Sequence, residues 1–152
     1  VISQLLQTLE NIMSWDISIQ HLPDSAVCID DIPNDFQPSA LGPRASVIAS
    51  ILKAIPDVDF SDPSWGILRR DAFSIEFNMG GEVICNGFML HVRGGGDAAG
   101  LIDQLLKNLG LRGLDCQTGD FFKTDTTDAS FSDWQQFRDK VVSTSSSGDD
   151  YQ

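Results

Sequence analysis

Hydrophobic and polar positions first alternate at Trp15, Ile17 and Ile19, with Asp16, Ser18 and Gln20 between them. A period of two belongs to a strand with one buried face. Upstream, Ile2, Leu5, Leu6 and Leu9 recur at helical spacing and predict a short amphipathic helix over residues 2–11. The stretch "AVCIDDI" predicts a second short strand, and "PNDFQPSALGP" a loop punctuated by Pro33, Pro38, Gly42 and Pro43. Pro43 suits a first helical turn, and Val47, Ile48, Ile51, Leu52 and Ile55 supply the apolar stripe of the helix it opens, which Pro56 ends. "DVDFSDPSWG" is an acidic loop. Two strand runs, 67–78 and 83–93, flank "NMGGE", whose glycine pair supplies the positive φ angles of a tight hairpin. Leu101, Ile102, Leu105, Leu106 and Leu109 predict a helix over 98–109, closed by Gly110. "LRGLDCQTGDFF" reads as a strand, a Thr-Gly turn and a second short strand. Phe131, Trp134, Phe137, Val141 and Val142 mark a last amphipathic helix, and residues 143–152 a disordered tail.

From residue 26 onward the order is strand, helix, strand, strand, helix, strand. It predicts an α+β two-layer sandwich with a ferredoxin-like, split βαβ core. The strand near Trp15 is then an extra N-terminal strand, and the last helix a C-terminal addition. Residues 13–142 form a single domain, with Met13 as the natural start and residues 1–12 as an extension.

Centring the hairpin on Gly80–Gly81 puts Phe73, Ile75 and Phe77 on one face with Ile84, Phe88, Leu90 and Val92. The opposite face receives Arg70, Ala72, Ser74 and Glu76 together with Cys85, Gly87, Met89, His91 and Arg93. Arg70, Glu76, His91 and Arg93 read first as a solvated patch of cross-strand ion pairs. The alternative is a ligand face that holds an anionic group and makes Glu76 or His91 an acid–base residue.

Charge narrows the choice of partner. The chain carries 22 acidic and 10 basic residues, a formal net charge of -12. Such a surface repels nucleic-acid phosphates and anionic membranes, and favours a basic protein partner or simply solubility, the commoner reason for an acidic pI. Asp30, Asp31, Asp57, Asp59 and Asp62 sit in loops, with Phe36, Phe60 and Trp65 in or beside them. Charges of this kind steer a basic partner, and aromatic anchors supply affinity, so these eight residues are the candidate partner-binding set.

The chemical motifs are weaker. Gly94, Gly96 and Ala99 satisfy a loose G-x-G-x-x-A, but Asp97 stands where a helix N-cap belongs and competes for the amides a pyrophosphate needs. "DVDFSD" opens like a calcium loop, yet Asp62 replaces the required glycine and Leu68 the bidentate glutamate. His21 and His91 lack metal-ligand neighbours, so no metal or cofactor is expected. Cys28, Cys85 and Cys116 form no C-x-x-C and read as reduced, mostly buried thiols of a cytoplasmic protein. No basic residue precedes the apolar N-terminal positions, which argues against a signal peptide, and no apolar run approaches the roughly 20 residues of a membrane span. With no catalytic constellation in view, the expectation is a binder and not an enzyme.

The segments "MSWD" (13–16), "DIPNDF" (31–36), "FSIEFN" (73–78), "MLHVRGGGD" (89–97), "LDCQTGDFF" (114–122) and "WQQFRD" (134–139) resemble a group of small bacterial proteins that open with Met-Ser-Trp-Asp. The likeness covers most of residues 13–142. It implies a cytoplasmic protein without catalytic residues, similar to the immunity proteins carried beside secreted interbacterial toxins. The implied function is to bind such a toxin and occlude its active site.

Overall fold

A computed structural model describes residues 14–122. Its main sheet has six strands in the order β3-β4-β6-β1-β7-β8. These are β1 (Trp15–Gln20), β3 (Trp65–Arg69), β4 (Phe73–Asn78), β6 (Phe88–Gly94), β7 (Arg112–Asp115) and β8 (Asp120–Phe121). Every ladder in it is antiparallel. A two-stranded ribbon joins β2 (Gly42–Pro43) to β5 (Ile84–Cys85). Helices α1 (Arg44–Ala54) and α2 (Ala98–Leu109) complete an α+β architecture.

The alternation of β1 is realised residue by residue, with Trp15, Ile17 and Ile19 buried and the residues between them half-buried. On the same side lie Leu68, Ile75, Phe77, Leu90 and Val92, and against them pack Val47 and Ile51 of α1 and Ile102, Leu105 and Leu106 of α2. Both helices therefore share one core with one face of the sheet. Asp97 caps α2, its carboxylate accepting from Gly100 N at 3.2 Å. Gly110 ends that helix at φ 65, and the Leu111 N–H reaches back to the Leu106 carbonyl at 3.1 Å. The glycines before α2 serve backbone approach: Gly95 N donates to the Ala72 carbonyl at 2.7 Å, and a Cβ at Gly94 would stand 2.6 Å from that oxygen.

Several expectations are corrected. Trp15 does not open a peripheral strand; β1 is one of the two central strands, between β6 and β7. "AVCIDDI" forms bends and a 3-10 turn, Ile29–Asp31, because Asp31 accepts from the Val27 and Cys28 amides and holds the chain in a turn. The run 67–78 breaks at residues 70–72 into the β3–β4 hairpin. Gly80–Gly81 does not form a tight hairpin: residues 79–87 connect β4 to β6, with β5 inside that connection. Cys85 consequently turns into the core and Ile84 out of it, the reverse of the expected faces. Of the three thiols only Cys85 is buried, whereas Cys116 is exposed. The extension 1–12, the helix over 131–142 and the tail 143–152 lie outside the described residues.

One buried polar contact fixes the centre of the sheet. Asp115 is 2% exposed and accepts from Trp15 Nε1 at 2.9 Å and from Gln117 N at 2.8 Å. The Trp15 ring stacks on Phe122 at 6.0 Å between centroids. Replacing Asp115 by Ala strands a buried indole N–H, so D115A should lose about 1–3 kcal/mol in urea unfolding, and Asp115→Asn, which keeps an acceptor, should lose less. Equal losses in the two variants would contradict this role.

Candidate functional site

The sheet face away from the helices carries the polar chemistry. Three rows cross it in register. Asn78, Met89 and Ser18 form the first, Glu76, His91 and Asp16 the second, and Ser74 and Arg93 the third. In the middle row His91 Nδ1 lies 2.8 Å from Asp16 Oδ1, which also accepts from Ser14 Oγ. Trp65, from the start of β3, stacks on the His91 ring at 5.6 Å with 18° between planes. Arg93 Nη1 donates to Glu76 Oε1 at 2.8 Å. His91 retains 20% of its side-chain exposure and Asp16 37%. At the β8 edge the segment before Ile29 folds over this face. Arg112 Nη1 donates to the Pro23 and Ala26 carbonyls at 2.7 and 2.8 Å, and its guanidinium lies 3.7 Å above the Phe121 ring.

Of the alternative ligand set, Glu76, His91 and Arg93 meet as expected. Arg70 does not join them. It lies in the β3–β4 turn, where its guanidinium pairs with Asp57 at 3.0 Å. Asp16 is the missed member. The alternation from Trp15 already placed it on the polar face, but nothing local said that β1 would lie beside β6.

The partner-binding set divides between the two edges of the sheet. Asp30 and Asp31 belong to the 3-10 turn, whose Ile29 N donates to Asp120 of β8 at 3.3 Å. Asp57, Asp59, Phe60 and Asp62 flank β3, to which Asp59 is tied by paired backbone bonds with Ile67 of 2.8 and 2.9 Å. Five strand spacings of roughly 4.8 Å separate the edges, about 24 Å in all, so these acids are two patches. Phe36 is half-buried in the loop before β2, and Trp65 belongs to the His91 face. Phe60 packs on Phe77 at 5.9 Å and closes over Gly66.

Two concavities flank these features. A cleft of about 660 Å³ lies over the first row and is walled by Gln20, Gln37 and Asn86. A groove of about 420 Å³ at the start of α1 is lined mainly by Pro43, Ile48, Phe60, Pro63 and Val83. Of these Val83 is 78% exposed, and Ile84 next to it 48%. Among the described residues no group of three or more His, Cys, Asp or Glu gathers to hold a metal. None of the described helices is long and apolar enough to cross a membrane. Burial pushes the Cys85 thiol up; at Cys116, exposed at its surface but desolvated by the residues around it, that desolvation and then the Asp16 and Asp115 carboxylates act in the same direction.

The exposed acids are held ionised by their own turns. Asp59 accepts from Ser61 N at 2.8 Å and Asp62 from Ser64 N at 2.9 Å, and both serine hydroxyls add a second bond. The serine hydroxyl and then its amide lower both carboxyls below 3.8, and the Val27 and Cys28 amides do so for Asp31. A folded pKa below the unfolded one contributes stability above the unfolded value, and that contribution fades as pH falls through the folded pKa. Carboxyl carbon NMR should therefore find these three aspartates titrating below 3.8; midpoints at or above it would contradict the turns.

Compared with protein-family models, curated proteins and solved structures, the chain gives no match to any of them.

Proposed function

We propose that this chain is an acidic protein-binding module, an immunity-like inhibitor that occludes the active site of a basic toxin. The observation that carries this reading is the groove at the start of α1. Its apolar walls, with Val83 exposed among them, offer the kind of anchor pocket that dominates docking energies. The same segment that supplies Phe60 and Pro63 holds Asp59 and Asp62 as fixed anions, and Glu82 precedes Val83. Arg44, which also lines the groove, directs its guanidinium to the Gly80 carbonyl at 2.8 Å. A basic partner is thus attracted by the rim and anchored by the groove. Asp30 and Asp31, at the far edge, contribute to long-range steering only. The module acts by binding and not by catalysis, in the cytoplasm.

We also propose a ferredoxin-like core. The order β4-β6-β1-β7 supports it, with α1 in the connection from β1 to β4 and α2 in that from β6 to β7. On this reading β3 and β8 are hairpin additions at the two edges. Such a fold hosts many functions and names none.

The test is co-expression with the product of the adjacent gene. That product should be toxic alone and harmless beside this chain, and the two should co-purify. Val83→Asp, an exposed change, should weaken the complex at least about tenfold, and the association rate should fall with added salt. A neighbour that is harmless alone, or binding indifferent to V83D, would contradict the proposal.

A further inference from the structure

The cleft over the sheet is chemically unlike the rest of the surface. In a chain of net charge -12, the described residues that line it include no charged side chain. What it contains is Ser18, Gln20, Gln37, Asn78 and Asn86, with the Met89 thioether beside Asn78 and Ser18 in the same row. Gln20 Nε2 donates to Ser18 Oγ at 3.0 Å, which leaves the Gln20 carbonyl as an acceptor and the Ser18 hydroxyl as a donor. Among the described residues no side-chain hydrogen bond engages the carboxamides of Gln37, Asn78 or Asn86. Each carboxamide presents donors and an acceptor side by side, which matches neighbouring hydroxyls that each donate and accept.

From this we infer a binding site for a neutral, multiply hydroxylated ligand, a mono- or disaccharide. The volume falls within the roughly 300–1,000 Å³ of small-molecule sites. Among the described lining residues a phosphorylated ligand finds no cation, and the Arg44 guanidinium at the margin donates to the Gly80 carbonyl at 2.8 Å. Among the described lining residues a flat nucleobase finds no free ring either, because Phe88, the one aromatic among them, is 4% exposed. Pro38 and Met89 offer apolar contact to the C–H face of a sugar ring. In the alternative ligand face of Arg70, Glu76, His91 and Arg93, Arg70 pairs with Asp57 and Arg93 with Glu76.

This site shares no described lining residue with the groove of the proposed docking surface, though Arg44 and Gly80 join the two, and it does not rest on that reading. The experiment is a titration of the full chain, followed by side-chain amide and backbone NMR, with glucose, galactose, mannose, N-acetylglucosamine and maltose. Adenosine and inorganic phosphate are the comparison arms. At least one sugar should shift the Asn78, Gln20 and Ser18 signals saturably, with half-saturation below about 10 mM. Asn78→Ala and Ser18→Ala should each raise that concentration about tenfold while leaving the melting temperature near that of the parent. Shifts by adenosine or phosphate but by no sugar, or no saturable shift at these residues with any sugar, would overturn the assignment.

Discussion

The register of β1 between its two neighbours is the constraint on which the rest depends. A strand inside a sheet must satisfy two ladders at once, and a slip of one residue would expose Trp15, Ile17 and Ile19 on the polar face. Three fully buried side chains and the indole bond to Asp115 resist that slip. The same register sets Asp16 opposite His91 and Ser18 opposite Met89. Core packing on one face thereby fixes the composition of each polar row on the other.

The two faces then follow different logic. On the helix side, burial of aliphatic and aromatic surface dominates, and the ribbon of β2 and β5 brings Cys85 into the core while pushing Val83 and Ile84 into solvent. On the open side Arg93 reaches Glu76 diagonally, from one row to the next, and His91 lies beside Asp16 in register, so these polar groups are engaged with one another. The unpaired acids are in the loops, where short Asx-type bonds hold them. Loop carboxylates and the neutral carboxamides of the cleft thus occupy separate surfaces.

Much of the fold was legible because periodicity and punctuation are local. The α2 stripe with its Asp97 cap and Gly110 terminator, the α1 stripe after Pro43 and the alternation in β1, β4 and β6 are all realised. The errors arose where partners are distant in sequence. "AVCIDDI" has strand-like side chains, yet the Asp31 carboxylate captures two amides and makes a turn. The Gly80–Gly81 pair signalled a tight hairpin, while pairing of Pro43 with Ile84 drew the following residues into a separate ribbon. The Glu76–His91–Arg93 patch was readable from strand alternation alone; Asp16 and Trp65 joined it through strand order, which no local pattern encodes.

Backbone NOEs across β1 test the central claim most directly. The account predicts contacts of Asp16 with His91 on one side and of Ile17 with Asp115 on the other. Contacts of Trp15 with His91, or a β1 that pairs on one side only, would contradict it.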